Sequence, residues 1–230
     1  MVAQRLALTL VLVWLGAGAA AAADVANGRQ IVLHGNGHGA TPCVACHGAD
    51  GAGIADVAYP RLAGQQAAYL RKQLHDFRNG LRNSEVMQLF AKALSGAEIR
   101  DVAAYYAAQP AHGTHEIADR ALIGAGRQLA ERGDWDRNLP PCFSCHGPRG
   151  VGVGGDFPLL AGQHAQYIEK QLLAWKRGTR DNDPDQLMKT VAQRLGEPDI
   201  KGVAAYFASL NPAPAQRITL NDSRPAGGPR

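Results

Sequence analysis

Apolar residues recur every three or four positions along most of this 230-residue chain. That spacing places them on one face of an α-helix, whereas a half-buried strand alternates strictly between apolar and polar residues. No stretch of the chain shows sustained alternation of this kind. The pattern therefore predicts an all-α protein.

The predicted helices form two matching sets. An opening helix is predicted near residues 25–33, and its counterpart near residues 117–130. A second helix and its counterpart carry equivalent apolar stripes, Ala67, Leu70, Leu74 and Phe77 in one and Ala165, Ile168, Leu172 and Trp175 in the other. A last helix begins at Ser95, where Glu98 completes a capping-box signature. Its expected inner face is Ile99, Val102, Ala103 and Tyr106, repeated as Ile200, Val203, Ala204 and Phe207.

An internal duplication explains the matching sets. Residues 43–48 return at 142–147, residues 60–65 return at 158–163, and residues 99–106 return at 200–207. The second copy has three extra residues in the loop 181–184. Two copies of about 90 to 100 residues form a pair of domains rather than a solenoid. We expect these domains at residues 24–112 and 113–212.

Both ends of the chain lie outside the repeats. Residues 1–23 have the features of an export signal, with Arg5 before an apolar run and three alanines before Asp24. We therefore expect a periplasmic location, which is an oxidising compartment. The alternatives are that this segment is a buried N-terminal helix or an uncleaved signal that tethers the protein to a membrane. Residues 213–230 have no periodicity and are expected to be a disordered tail.

The charge balance argues against one class of partner. The chain has 24 Lys and Arg against 20 Asp and Glu, a formal net charge of +4, and 46% of its residues are apolar. This composition is ordinary for a globular protein. A surplus so small does not indicate a nucleic-acid-binding surface.

All four cysteines lie in two Cys-x-x-Cys-His motifs, the attachment signal for c-type haem. In such a motif each thiol forms a thioether with a porphyrin vinyl group, and the adjacent histidine binds the iron. The motifs therefore predict two covalently attached haem c groups, one per domain. The residues predicted to hold them are Cys43, Cys46 and His47 in the first copy and Cys142, Cys145 and His146 in the second.

Three other interpretations of the motifs are weaker. A disulfide within each Cys-x-x-Cys pair leaves the two following histidines unexplained. A four-cysteine zinc site requires the two motifs to converge, although the repeat places them in separate domains. A thioredoxin-like redox motif is expected beside a βαβ unit, which this sequence lacks.

Two methionines are the candidates for the remaining axial position of each iron. Met87 and Met188 are the only methionines besides the initiator, and they occupy matching places in the two copies. The alternative is that each fills a gap in the core. The histidines outside the motifs do not recur between the copies, and structural or surface roles are expected for them: His34, His38, His75, His112, His115 and His164.

Histidine and methionine ligation would determine the chemistry. A thioether is a soft ligand that favours ferrous iron, so it raises the reduction potential. With both axial positions filled, a substrate has no direct access to the metal. We therefore expect one-electron, outer-sphere transfer and no enzymatic activity.

Supporting roles are predicted for pairs of repeated residues. A carbonyl near Pro60 or Pro158 would accept the Nδ1 proton of the motif histidine, unless each is an ordinary loop proline. Arg82 and Arg180 would pair with haem propionates, or else lie in solvent. Phe77 and Trp175 are expected in the core near the porphyrin.

Taken together, the motifs, the repeated Leu-Ala-Gly-Gln segments and the Met87 and Met188 segments resemble the dihaem cytochrome c4 family. The resemblance implies two class I cytochrome c domains related by pseudo-twofold symmetry, each with a His/Met haem. It also implies a periplasmic electron carrier between redox partners, often ending at a terminal oxidase. By analogy, the first and last helices of each domain should cross, with Gly28 and Gly126 admitting an aromatic side chain of the last helix.

Two other function classes compete with a free carrier. One is a cytochrome subunit of a periplasmic dehydrogenase complex, such as a sulfide-oxidising flavocytochrome, which the resemblance leaves open. The other is a dihaem peroxidase, which needs an accessible iron and is disfavoured by the paired methionines. Membrane association is expected only through a partner or an uncleaved signal.

Overall fold

The computed structural model describes residues 22–113 and 119–212. Most of the expected export signal, the whole expected tail and His115 lie outside these residues. The described part of the chain is helical, with four isolated bridges and no strand. The all-α prediction is therefore confirmed. None of its helices has the length and apolar character needed to cross a membrane.

The helices repeat in order, five per domain. The first domain contains α1 (Val25–His34), α2 (Val44–His47), α3 (Ala67–Arg78), α4 (Glu85–Lys92) and α5 (Gly96–Ala108). The second contains α6 (Arg120–Arg132), α7 (Phe143–His146), α8 (Ala165–Lys176), α9 (Leu187–Arg194) and α10 (Glu197–Ser209). Short 3-10 helices lie at Ala55–Val57, Trp135–Arg137, Pro148–Gly150 and Pro184–Gln186.

The predicted helix boundaries hold where the capping chemistry is clear. Asp24 caps α1 by accepting from the backbone N–H groups of Ala26 and Asn27. Ser95 and Glu98 form the predicted capping box of α5. In the second domain α6 begins at Arg120, after the capping residue Asp119, and the predicted start at residue 117 lies outside the described residues.

Each domain has its own hydrophobic core. The predicted inner faces of α5 and α10 are buried, and Ile99 and Ile200 are almost fully shielded from solvent. In the first domain these residues pack with Ile31, Val32 and Leu94. The second core adds the large rings of Trp175 and Phe207. Burying one such side chain contributes about 1.5–3 kcal/mol, so each core stabilises its own domain.

Two glycines allow the first and last helices of each domain to cross closely. A Cβ at Gly28 would lie 2.1 Å from the carbonyl oxygen of Asp101, and one at Gly126 would lie 1.9 Å from that of Gly202. The expected crossing is therefore present. At Gly126 the nearest neighbour is the main chain of α10, at Gly202 and Val203, and not an aromatic ring. At Gly28 the side chain of Tyr105 is adjacent, but the Asp101 carbonyl is closer.

We predict that Gly126→Ala destabilises the second domain by about 2–3 kcal/mol, because the added methyl group overlaps the backbone of α10. Gly124→Ala on the same helix is the matched control, since nothing lies within 4 Å of a Cβ there. That change should raise stability by up to about 1 kcal/mol through helix propensity. Urea unfolding measures both variants, and equal effects would contradict the close crossing.

Candidate haem sites

Each Cys-x-x-Cys-His motif folds as one helical turn that ends at its histidine. The His47 backbone N–H donates to the carbonyl of Cys43 at 3.0 Å, and the His146 N–H donates to that of Cys142 at 2.9 Å. Both cysteines and the histidine of each motif therefore belong to a single compact turn. This is the local geometry that the predicted attachment requires.

A main-chain carbonyl orients each histidine ring. Nδ1 of His47 lies 3.1 Å from the carbonyl oxygen of Pro60, and Nδ1 of His146 lies 3.0 Å from that of Pro158. A carbonyl oxygen only accepts hydrogen bonds, so Nδ1 carries the proton and donates. In a neutral ring this leaves the lone pair on Nε2, the atom available to a metal. The predicted role for the two proline carbonyls is confirmed.

Both rings are held in their neutral form. His47 and His146 are buried, and burial lowers the pKa of each ring because it penalises the charged imidazolium. The hydrogen bond to the proline carbonyl acts in the opposite direction and does not overcome this effect. A neutral imidazole is the form that binds metal.

The cysteines do not fit the other interpretations of the motifs. None of the four forms a disulfide in the structure. Burial raises the pKa of Cys43 and of Cys142 to about 11, opposite to the low pKa of a reactive redox thiol. Across residues 22–113 and 119–212, no group of three or more His, Cys, Asp and Glu side chains is arranged to hold a metal ion. The disulfide, zinc and thioredoxin-like alternatives thus lack support.

A mainly apolar cavity of about 180 Å³ lies beside the motif of the second domain, and residues of both domains line it. Cys142, Cys145 and His146 line it together with Met188, which lies on α9. The structure therefore brings together all four residues predicted for this domain. Apolar side chains form much of the remaining wall, among them Leu172, Trp175, Leu195 and Phe207.

In the first domain Met87 occupies the equivalent helix. It is the third residue of α4, and its backbone N–H donates to Oγ of the capping residue Ser84 at 3.2 Å. The short helices α4 and α9 around the two methionines were not predicted from the sequence. Ser84 followed by Glu85 was an available signal for the start of α4.

A family model for cytochrome c matches residues 25–108 and again 125–211. The thiosulfate dehydrogenase electron acceptor of Stutzerimonas stutzeri is 48% identical over 190 residues, covering 82% of this chain and 88% of that protein. The solved reduced cytochrome c4 from Pseudomonas stutzeri superposes with a TM-score of 0.72 at 36% identity, covering 82% of this chain and all of that one.

A second solved structure is longer than the present chain. It is a thiosulfate dehydrogenase (TsdBA) from Marichromatium purpuratum, with a TM-score of 0.73 and 42% identity. The match covers 80% of this chain but only 40% of that solved chain.

The chain belongs to the cytochrome c family. Its two tandem domains and its match to a whole cytochrome c4 place it in the dihaem c4 group. As a cytochrome c4 homologue it carries two covalent haem c groups, one in each domain, and it is an electron-transfer protein. The resemblance drawn from its motifs is therefore confirmed.

Polar atoms left without partners in the protein fit such a group. The indole Nε1 of Trp175 is buried and has no hydrogen-bond partner among the described residues. The guanidinium of Arg180 stacks 3.9 Å above the same ring, and that of Arg82 lies 4.6 Å from the ring centre of Phe77. An N–H donor beside a cation, next to an apolar cavity, suits a haem carboxylate.

Arg82 and Arg180 are buried where the two domains meet, which excludes the alternative that they lie in solvent. Arg82 donates to Tyr167 and Gln171 of the second domain at 2.9 and 2.7 Å. Arg180 in turn donates to Gln73 of the first domain at 3.2 Å. Burial and then the Arg82 charge hold the pKa of Arg180 below its ordinary value. The buried Asp76 carboxylate acts on Arg82, but every side chain that accepts a hydrogen bond from the two guanidinium groups is neutral, so the pair suits further negative charge.

A pair of glutamines in the repeated Leu-Ala-Gly-Gln segments joins the two cytochrome domains. Gln163 accepts from the backbone N–H of Arg61 at 2.8 Å and donates to its carbonyl at 2.9 Å. Gln65 makes the same two contacts with Leu159, at 2.8 and 3.1 Å. These reciprocal contacts are related by the pseudo-twofold symmetry of the two domains. The repeated segment in the sequence pointed only to a family resemblance, not to this contact.

The residue that follows each of these glutamines also makes a hydrogen bond to the other domain. Nε2 of His164 lies 2.9 Å from the carbonyl oxygen of Ala52, and the side-chain amide of Gln66 donates to the carbonyl of Val151 at 3.3 Å. The structural role expected for His164 is therefore confirmed, and it is a role between domains.

We predict that Gln163→Ala lowers the free energy of unfolding by about 3 kcal/mol, because it leaves a buried N–H and a buried carbonyl of Arg61 without partners. Gln193→Ala, at an exposed position of α9, should change it by no more than about 0.5 kcal/mol. Guanidinium unfolding of the haem-loaded variants makes the comparison. Identical midpoints for both would show that the glutamine pair does not hold the domains together.

Proposed function

We propose that this dihaem cytochrome is a periplasmic carrier that takes electrons from a thiosulfate dehydrogenase and passes them to a respiratory acceptor such as a terminal oxidase. The cavity shared by Cys142, Cys145, His146 and Met188 is the observation that carries the electron-transfer role. The partner is suggested by the relative from Stutzerimonas stutzeri, whose name is thiosulfate dehydrogenase electron acceptor. Residues 1–23 act as the export signal in this proposal, with domains at 24–112 and 113–212 and a disordered tail at 213–230.

The proposed ligand set follows from the site residues. Cys43 and Cys46 in one domain, and Cys142 and Cys145 in the other, attach the porphyrins. Nε2 of His47 and of His146 would be the histidine ligand of each iron, since Nδ1 is already committed to a proline carbonyl. The sulfur atoms of Met87 and Met188 would supply the second protein ligand. Each bound haem supplies a one-electron Fe(III)/Fe(II) couple.

The surrounding side chains would bind the haem carboxylates. Arg82 and Arg180 would supply positive charge that no carboxylate bonded to them offsets, and the free Nε1 of Trp175 would supply a donor. The mainly apolar lining of the cavity beside His146 and Met188 suits the porphyrin ring.

A permanently bound subunit is the second candidate. The solved TsdBA chain contains a region similar to this protein within a longer chain named thiosulfate dehydrogenase. A cytochrome of this type is thus compatible with being joined to its electron donor. Copurification of the two proteins at fixed stoichiometry would favour a bound subunit over a diffusing carrier.

We predict that Met87→Ala lowers the reduction potential of one haem by roughly 0.2 V, a part of the range of about 0.8 V that axial ligands span. The other haem should keep its potential because Met188 is untouched. Potentiometric titration followed by absorbance reports both haems in one experiment. Met188→Ala is the reciprocal variant, and an unchanged pair of potentials in either would remove that methionine from the ligand set.

The carrier role is tested by mixing the oxidised protein with a purified thiosulfate dehydrogenase and thiosulfate. We expect both haems to become ferrous, so that each molecule takes up two electrons, one per haem. Thiosulfate without the dehydrogenase is the control and should reduce the protein far more slowly. Reduction at the control rate would contradict the proposed partner, although it would leave the haem sites themselves untouched.

A further inference from the structure

One arginine at the domain junction is buried among main-chain carbonyls. The side chain of Arg61 is 3% exposed. Its Nε donates to the carbonyl of Gly162 at 2.9 Å, Nη1 to that of Ala63 at 2.5 Å, and Nη2 to that of Ala161 at 2.7 Å. Every nitrogen of the guanidinium is thus engaged, and two of its three acceptors belong to the other domain.

No carboxylate neutralises this cation within the part of the chain that the structure describes. None of the ion pairs found there includes Arg61, and its acceptors are all uncharged. Burial lowers its pKa to about 10, which still leaves the group protonated at neutral pH. Carbonyl dipoles stabilise a charge but do not cancel it, so a net positive charge lies inside the protein.

Arg61 places that charge in the wall of the cavity beside the second-domain motif. Although it belongs to the first domain, Arg61 lines the cavity that also contains His146 and Met188 of the second. The equivalent position in the second copy is Leu159, an uncharged residue. The two copies therefore differ at this position, because only the first copy has a cation there.

Arg61 differs from the other two buried arginines in what it can bind. Arg82 and Arg180 bond to the side chains of tyrosine and amide residues, which can reorganise around a haem carboxylate. Arg61 is instead fixed by three carbonyls of the backbone, leaving none of its nitrogens without an acceptor. Its charge is therefore expected to persist when the haems are bound.

We propose that Arg61 is a fixed internal cation that raises the reduction potential of the second-domain haem. The step it acts on is the addition of one electron to ferric iron, giving ferrous iron with no bond formed or broken. A nearby positive charge in a medium of low dielectric constant favours the state that carries the added electron. Arg61 touches no reacting atom in this scheme and acts on the haem only through the electrostatic field of its charge. The inference rests on the proposed ligand set of the second domain.

The experiment compares two substitutions that separate charge from hydrogen bonding. Arg61→Gln removes the charge but keeps an amide donor, whereas Arg61→Lys keeps the charge with fewer donors. Arg71→Gln, which removes a charge from an exposed position of α3, is the matched control. All three are titrated potentiometrically in the Met87→Ala background, where the first-domain haem is displaced to lower potential and the second is read alone.

We expect Arg61→Gln to lower the equilibrium constant for reduction of the second-domain haem about tenfold. For a one-electron couple this is a decrease of about 59 mV in the reduction potential. Arg61→Lys and the Arg71→Gln control should stay near the parent value. If Arg61→Gln loses its haem, Arg61→Leu takes its place, since leucine is the residue that the other copy uses at this position.

Two results would overturn the inference. An unchanged potential in Arg61→Gln would show that the cation has no effect on the haem. An equal loss in Arg61→Gln and Arg61→Lys would show that hydrogen bonding, not charge, sets the potential. Failure of the proposed ligand set looks different, because the parent protein would then lack two haems or would show no separate response to Met87→Ala.

Discussion

The hydrogen bond from each histidine Nδ1 to a proline carbonyl is the constraint on which both sites depend. It fixes the tautomer and the orientation of the ring, and thereby leaves Nε2 free for iron. The carbonyl comes from the segment that precedes Leu-Ala-Gly-Gln, the same segment whose glutamine reaches into the other domain. Ring orientation and domain contact are therefore linked through a few residues of backbone.

Three buried arginines lie at this same junction between the domains. Arg82, Arg180 and Arg61 are all buried near the junction, and their hydrogen-bond acceptors are neutral. Burying cations in this way is costly unless negative charge is close. In the proposed function the haem carboxylates supply that charge to Arg82 and Arg180, whereas Arg61 is held by main-chain carbonyls alone.

Much of the fold followed from periodicity and repetition. The stripes of α3 and α8 and the inner faces of α5 and α10 were predicted, because a helix that buries one face must repeat its apolar residues at helical spacing. The short helices α4 and α9 were missed, since eight residues provide barely two turns of pattern. Motif spacing pointed to His47 and His146, and the structure places each at the end of a single compact turn.

The contacts between domains were beyond the sequence. Gln65 and Gln163 are polar residues that would ordinarily be expected in solvent, and only the approach of the second copy buries them. Arg61 carries no local signal either, as two of its three acceptors lie about 100 residues away in the chain. Such roles depend on how the two domains pair, which local patterns do not encode.

Near-infrared magnetic circular dichroism of the oxidised protein, combined with its intact mass, tests the central claim most directly. The account predicts a mass increased by two haems and a spectrum in which both irons have one histidine and one methionine ligand. A mass without covalent haem, or a ferric iron with two nitrogen ligands or a bound water, would contradict it.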